Sequence, residues 1–125
     1  MNFATWSNLF YLAPLFAAGY YGLWWVAAAT LALFIFSLAF HLSHEQRFVL
    51  ADIFAAVVAI ISGLWLLYFG GFQIFYTMAV GILVLIGLYV RYGLERGDRG
   101  GMYHGLWHLV AASAILTCIL SNITT

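Results

Sequence analysis

The chain has 125 residues, of which 66% are hydrophobic and only 6% are charged, whereas a soluble domain carries about 25% charged residues. So few charges cannot cover a water-soluble globule, and together with a mean hydropathy of +1.05 they predict an integral membrane protein. The net charge is zero and no lysine is present, which excludes the basic surface that binds nucleic acid. The single cysteine, Cys118, excludes a disulfide framework and a thiolate metal cluster.

Apolar stretches follow one another along the chain and predict a compact all-α bundle in one transmembrane domain, residues 1–125. We predict five transmembrane helices, at about 3–19, 22–42, 52–69, 72–91 and 102–121. Tight turns at Gly19–Gly22 and Gly70–Gly71 divide two pairs of helices, and the polar loops 43–51 and 93–101 separate the others. A bundle of four spans, with the first segment lying in the membrane interface, is the alternative.

The arginines predict an orientation. All of them fall in or beside the two polar loops, at Arg47, Arg91, Arg96 and Arg99. Two predicted spans separate these loops, so both loops lie on one side of the membrane. The positive-inside rule places that side and the N-terminus in the cytoplasm, and the C-terminus outside. We expect a prokaryotic plasma (inner) membrane, because we find no signal peptide, targeting sequence or long loop.

Ionisable side chains within a span are candidates for function. Ser37 and His41 lie four residues apart near the end of the second span, as do His104 and His108 near the start of the fifth. This spacing puts both members of a pair on one helix face. Asp52 opens the third span, and the short preceding loop brings it close to His41. The topology therefore predicts that all these side chains lie at similar depth near the charged side.

Three histidines, a carboxylate and a hydroxyl at one depth predict a catalytic metal centre. Three histidines and a water form the open tetrahedral arrangement of catalytic zinc, which lowers the pKa of the water to about 7. We predict His41, His104 and His108 as the ligands. Asp52 would hold or deprotonate the water, and Ser37 would hydrogen-bond the water or a developing oxyanion.

Two local alternatives stay open at this stage. His44 lies three residues after His41 and is either a loop residue or a further ligand. The hydroxyl of Ser37 can instead hydrogen-bond a carbonyl of its own helix, as serines in membrane helices often do.

The same residues resemble the signature of the CREST superfamily of membrane hydrolases. This superfamily contains the alkaline ceramidases, the progestin and adipoQ receptors, Per1-type lipid remodellers and the myomaker-like proteins. The resemblance rests on Ser37-Leu-Ala-Phe-His41, on Asp52 and on His104-Gly-Leu-Trp-His108. It implies a zinc site on the three histidines, with Asp52 and Ser37 at the catalytic water, and hydrolysis of a lipid amide or ester.

The beginning of the chain extends the resemblance. Trp6-Ser7-Asn8-Leu9-Phe10, followed by Pro14, is similar to the first helix of alkaline ceramidases. The family has seven spans where we count five. It also carries acidic calcium ligands at the first helix, whereas the first carboxylate here is Glu45.

We therefore expect a zinc-dependent hydrolase of a membrane lipid, an amidase acting on C–N bonds other than peptide bonds, or an esterase. One alternative is a non-catalytic receptor or remodelling protein that keeps the metal for stability. A lesser alternative is a protein that binds haem through two axial histidines. Five short spans enclose little volume, so a homodimer that completes the pocket is a further expectation.

Overall fold

The structure, a computed structural model, describes residues 3–43, 45–94 and 102–124, without the side chains of Gln46, Phe48, Val49, Asp52 and Leu94. All regular structure in these ranges is helical, so the predicted all-α fold is confirmed. In chain order the elements are α1 (Phe3–Trp6), a 3-10 helix (Ser7–Tyr11), α2 (Leu12–Tyr20), α3 (Trp24–Ser43), α4 (Gln46–Phe69), α5 (Ile74–Tyr89), a π-helix (Val90–Leu94) and α6 (Met102–Ile123).

Three stretches of the described chain are helical, apolar and long enough to cross a membrane: Trp24–Ser43, Ile74–Gly93 and Met102–Ile123. A further apolar stretch, Ile53–Phe69, is shorter within the described residues. These helices are compatible with an integral membrane protein, and many large apolar side chains on their outer faces are exposed, as lipid contact requires. The number of spans, four or five, stays a prediction.

The helix ends near the polar loops differ from the sequence prediction. The segment 46–51, predicted as part of a loop, is helical, because α4 begins at Gln46 after the extended residue Glu45. At the second loop, α5 continues as a π-helix to Leu94, beyond the predicted end at residue 91. Polar residues at a helix end can reach water or headgroups, so they do not stop a helix where the apolar stretch stops.

Helix α6 is the centre of the bundle. It packs against α1, the 3-10 helix, α2, α4 and α5, whereas α3 packs chiefly on α4 and α2. Glycines bring two of the neighbouring helices close to α6. A Cβ at Gly87 would lie 2.8 Å from the Trp107 ring, and one at Gly63 would lie 3.3 Å from Sγ of Cys118. Small residues at these positions therefore allow the close helix packing that is usual in membranes.

The bundle has two different ends. Gly22 and Gly71 have φ values of +73° and +74°, in the left-handed region that favours glycine, and they turn α2 into α3 and α4 into α5. We call this the glycine-turn end. At the opposite end α3 finishes and α6 begins, which brings His41 together with His104 and His108. We call this the histidine end.

Candidate metal centre

Two helices supply the three histidines. His41 lies in the last turn of α3, while His104 and His108 lie in the first two turns of α6. The spacing of four residues aims the two α6 rings from one face of that helix. Within the described residues, α3 and α6 are not among the closely packed pairs of elements. The imidazole side chains therefore reach across the space between the two helix ends.

The three rings converge on one another. Their centroids are 4.8 Å apart for His41 and His104, 5.1 Å for His41 and His108, and 4.7 Å for His104 and His108. One ring nitrogen of each residue lies within 4.8 Å of the other two. His108 is buried, and the other two side chains are half-buried. This histidine cluster, His41 with His104 and His108, could hold a metal ion.

The donor set of the histidine cluster fits a divalent transition metal. Imidazole nitrogens suit zinc, copper, iron and nickel. In a tetrahedral site with metal–nitrogen distances of about 2.0–2.1 Å, the ligand nitrogens are ~3.3 Å apart. A set of nitrogens within 4.8 Å of one another therefore has to close by no more than roughly 1.5 Å to bind such an ion. Three ligands leave the fourth position for water or substrate, as in catalytic zinc sites.

Serine hydroxyls contact both nitrogens of His108. Oγ of Ser7 lies 2.7 Å from Nδ1, and Oγ of Ser37 lies 3.4 Å from Nε2. Both serines are about 1% exposed. The hydroxyl of Ser37 thus points across to another helix and not to a carbonyl of its own helix, which was the alternative left open by the sequence.

The N-terminal segment, which comprises α1 and the 3-10 helix (residues 3–11), closes one side of the cluster. The ring of Phe3 lies against Gly105, where an added Cβ would overlap it. Four residues on, Ser7 meets His108, and four residues further the buried ring of Tyr11 lies 5.6 Å from the His108 ring. These residues share one face of the segment and cover the strip of α6 that carries the histidines.

The change from α-helix to 3-10 helix at Ser7 has a local cause. The side chains of Ser7 and Asn8 donate hydrogen bonds to the carbonyl of Ala4, and Asn8 also donates to the carbonyl of Thr5. Such bonds compete with the main-chain bonds of an α-helix. The segment therefore tightens where it meets α6.

The structure thus brings together four of the predicted site residues: His41, His104, His108 and Ser37. Asp52 lies within the first two turns of α4, which packs against α3, but its side chain is outside the described part of the chain. His44 is outside it altogether.

Ser7 is the site residue that sequence reasoning did not assign. It appeared only within the stretch that is similar to the first helix of alkaline ceramidases, without a role. Its contact lies 101 residues away along the chain. The signal available in the sequence was a hydroxyl residue within the first turns of an apolar segment.

Comparison of the chain with protein-family models, with characterised proteins and with solved structures finds no match. The resemblance to the CREST superfamily therefore rests on the motif residues alone and stays a prediction.

Proposed function

We propose that the protein is a zinc-dependent intramembrane hydrolase that cleaves a lipid amide or ester. The observation that carries the proposal is the convergence of three imidazoles from α3 and α6, with the buried hydroxyl of Ser37 beside Nε2 of His108. Structural zinc sites are closed by four protein ligands, whereas catalytic sites have three and keep a position open. The described residues supply three.

Each residue has a task in this proposal. His41, His104 and His108 bind the ion, which when present supplies a water molecule acidic enough to ionise near neutral pH. Ser37 donates a hydrogen bond from its hydroxyl to the carbonyl oxygen of the substrate as negative charge develops there. Asp52 accepts the proton of the attacking water and then delivers it to the leaving amine or alcohol. We assign this task from its place at the start of α4, beside the end of α3.

A membrane lipid is the substrate that suits the surroundings. The histidine cluster lies at one end of a bundle whose outer faces are apolar, so an acyl chain can reach it from the bilayer without entering water. The amide is placed before the ester on the strength of the resemblance. We place the histidine end on the cytoplasmic side of a prokaryotic plasma membrane, since Arg47 and Arg91 are near that end.

A second candidate is a non-catalytic protein that keeps the metal for stability. The observation that favours it is the N-terminal segment, where Phe3 and Tyr11 cover one side of the histidine cluster and narrow the approach of a substrate. Haem is less suited to this geometry, because its axial histidines lie on opposite faces of the porphyrin, whereas three rings here converge on one point.

The test is metal content followed by a lipid screen. We expect purified protein to hold about one zinc ion per chain, and to release fatty acid from at least one class among ceramides, other N-acyl lipids and phospholipids, measured by mass spectrometry. Asp52→Asn should keep the zinc and lower turnover by about 10²–10⁴-fold, because it removes the proton acceptor.

The outcomes separate the two candidates. A protein that holds no metal overturns both. A zinc-loaded protein that hydrolyses none of these lipids overturns the hydrolase and leaves the metal-stabilised protein. Full activity in Asp52→Asn would remove Asp52 from the mechanism.

A further inference from the structure

Ser7 makes two hydrogen bonds that together determine where protons lie. Its Oγ is 2.9 Å from the carbonyl oxygen of Ala4 and 2.7 Å from Nδ1 of His108. A hydroxyl has one proton to donate and two lone pairs that accept. A carbonyl oxygen can only accept, so the Ser7 hydroxyl donates its hydrogen bond to the carbonyl of Ala4.

The proton between Ser7 and His108 must then belong to the imidazole. Nδ1 of His108 donates its N–H to Oγ of Ser7, because the oxygen has no second proton to offer. A neutral imidazole carries one N–H, which leaves Nε2 with its lone pair exposed to the cluster. Nε2 is also the nitrogen beside which Ser37 lies, at 3.4 Å.

We infer that Ser7 is a positioning residue that fixes the tautomer and ring orientation of His108, so that Nε2 is the ligand atom. The inference rests on the proposed metal site and extends it to the N-terminal segment. Histidine ligands commonly donate their second ring N–H to a fixed acceptor, and loss of that acceptor lowers metal affinity about 10–100-fold. Here the acceptor is itself held, through the hydrogen bond of Ser7 to Ala4.

The packing around Ser7 explains how the short N-terminal segment holds the His108 ring in one orientation. Phe3 rests on Gly105, and Tyr11 lies against His108, one turn of the segment before and after Ser7. Both His108 and Ser7 are at most 2% exposed, so water does not compete for Nδ1. A hydrogen bond in such surroundings is stronger than one in water.

The test uses the full chain in detergent micelles, stripped with a chelator and titrated with zinc against a competing chelator. We expect Ser7→Ala to bind zinc about 10–100-fold more weakly than the wild type. Ser7→Thr keeps the hydroxyl and should restore most of the affinity. The matched control is Ser121→Ala, which removes a fully buried hydroxyl at the glycine-turn end and should leave the affinity unchanged.

A second readout reports the tautomer of His108 directly. Nitrogen-15 chemical shifts of the metal-free wild type should show His108 protonated at Nδ1, with its signals identified by their loss in His108→Gln. Ser7→Ala should shift that population towards the other tautomer. A role in packing alone would not move these shifts.

Three results would overturn the inference: wild-type zinc affinity in Ser7→Ala, no recovery in a folded Ser7→Thr, or a proton found on Nε2 of His108 in the wild type. Its failure differs from failure of the proposed function. If zinc binding depends on Ser7 but no lipid is hydrolysed, only the proposed hydrolase function is overturned. If the protein hydrolyses lipid but Ser7→Ala leaves the zinc affinity unchanged, only the inference about Ser7 is overturned.

Discussion

The two ends of the bundle bury serine hydroxyls in different surroundings. At the histidine end, Ser7 and Ser37 contact His108 from positions 101 and 71 residues away in the sequence. At the glycine-turn end, the fully buried Ser121 lies against Gly70, and its carbonyl accepts a hydrogen bond from Gln73.

The difference separates packing from chemistry. Polar groups are costly to bury in an apolar bundle unless they are paired. The hydroxyls of Ser7 and Ser37 contact His108, whereas the buried hydroxyl of Ser121 has no hydrogen-bond partner among the described residues. At the glycine-turn end, Gly70 packs against Ser121 and the side chain of Gln73 donates a hydrogen bond to the Ser121 carbonyl, so the α4–α5 turn is held against the end of α6. At the histidine end the hydroxyls contact His108, a member of the cluster that could hold a metal ion. Burial of polar groups alone would not have distinguished the two ends, whereas their partners do.

Removal of one histidine of the cluster is expected to have the largest effect, and it should affect only the histidine end. His104→Ala should lower the metal content from about one ion per chain to almost none, because two imidazoles do not make the three-ligand site of catalytic zinc. Elemental analysis after size-exclusion chromatography measures it. Gln73→Ala, at the glycine-turn end, should retain the ion. An unchanged metal content in His104→Ala would show that the cluster is not the site.

A pair of glycine substitutions applies the same change to both ends. Gly105→Ala would push on the Phe3 ring, and Gly70→Ala would meet Oγ of Ser121 at 2.6 Å and its carbonyl oxygen at 2.9 Å. We expect each to destabilise the fold by about 1–3 kcal/mol, measured by unfolding in mixed detergent. Only Gly105→Ala should also weaken zinc binding, since it displaces the segment that carries Ser7. Equal effects on zinc would remove the distinction between the ends.

The smallest effect is expected at the start of α4. Arg47 forms an ion pair with Glu45, and the two side chains are 74% and 48% exposed. Arg47→Gln should change the free energy of unfolding by less than about 1 kcal/mol, because exposed ion pairs contribute little. Zinc affinity should be unaffected. A clear loss of zinc in this variant would mean that the first turn of α4 supports the histidine end.

Local signals predicted most of the fold. The apolar stretches and the turn glycines predicted the start of α3 within two residues of Trp24 and the end of α4 at Phe69. These features depend only on short segments, because a left-handed turn and the length of an apolar stretch are both set locally. The ends at Gln46 and Leu94 were missed. Polar side chains there are compatible with a loop and equally with a helix that leaves the membrane, so composition does not decide between them.

The site divides in the same way. The spacing of four residues in each motif is a local signal, and it predicted which faces of α3 and α6 carry the histidines. The role of Ser7 depends on the docking of the first segment against α6, which no short window of sequence records. The 3-10 helix was also unpredicted, since it follows from side-chain bonds of Ser7 and Asn8 to nearby carbonyls.

The separation of 101 residues between Ser7 and His108 sets the order in which the site is completed. Synthesis at about 5–20 residues per second puts roughly 5–20 s between the appearance of the two residues. During that time the first segment exists without α6, the helix that it covers. A chain halted before α6 would contain Ser7, Ser37 and His41 but would lack His104 and His108. If the cluster holds an ion as proposed, metal uptake follows the docking of α6 and reports that this docking has occurred.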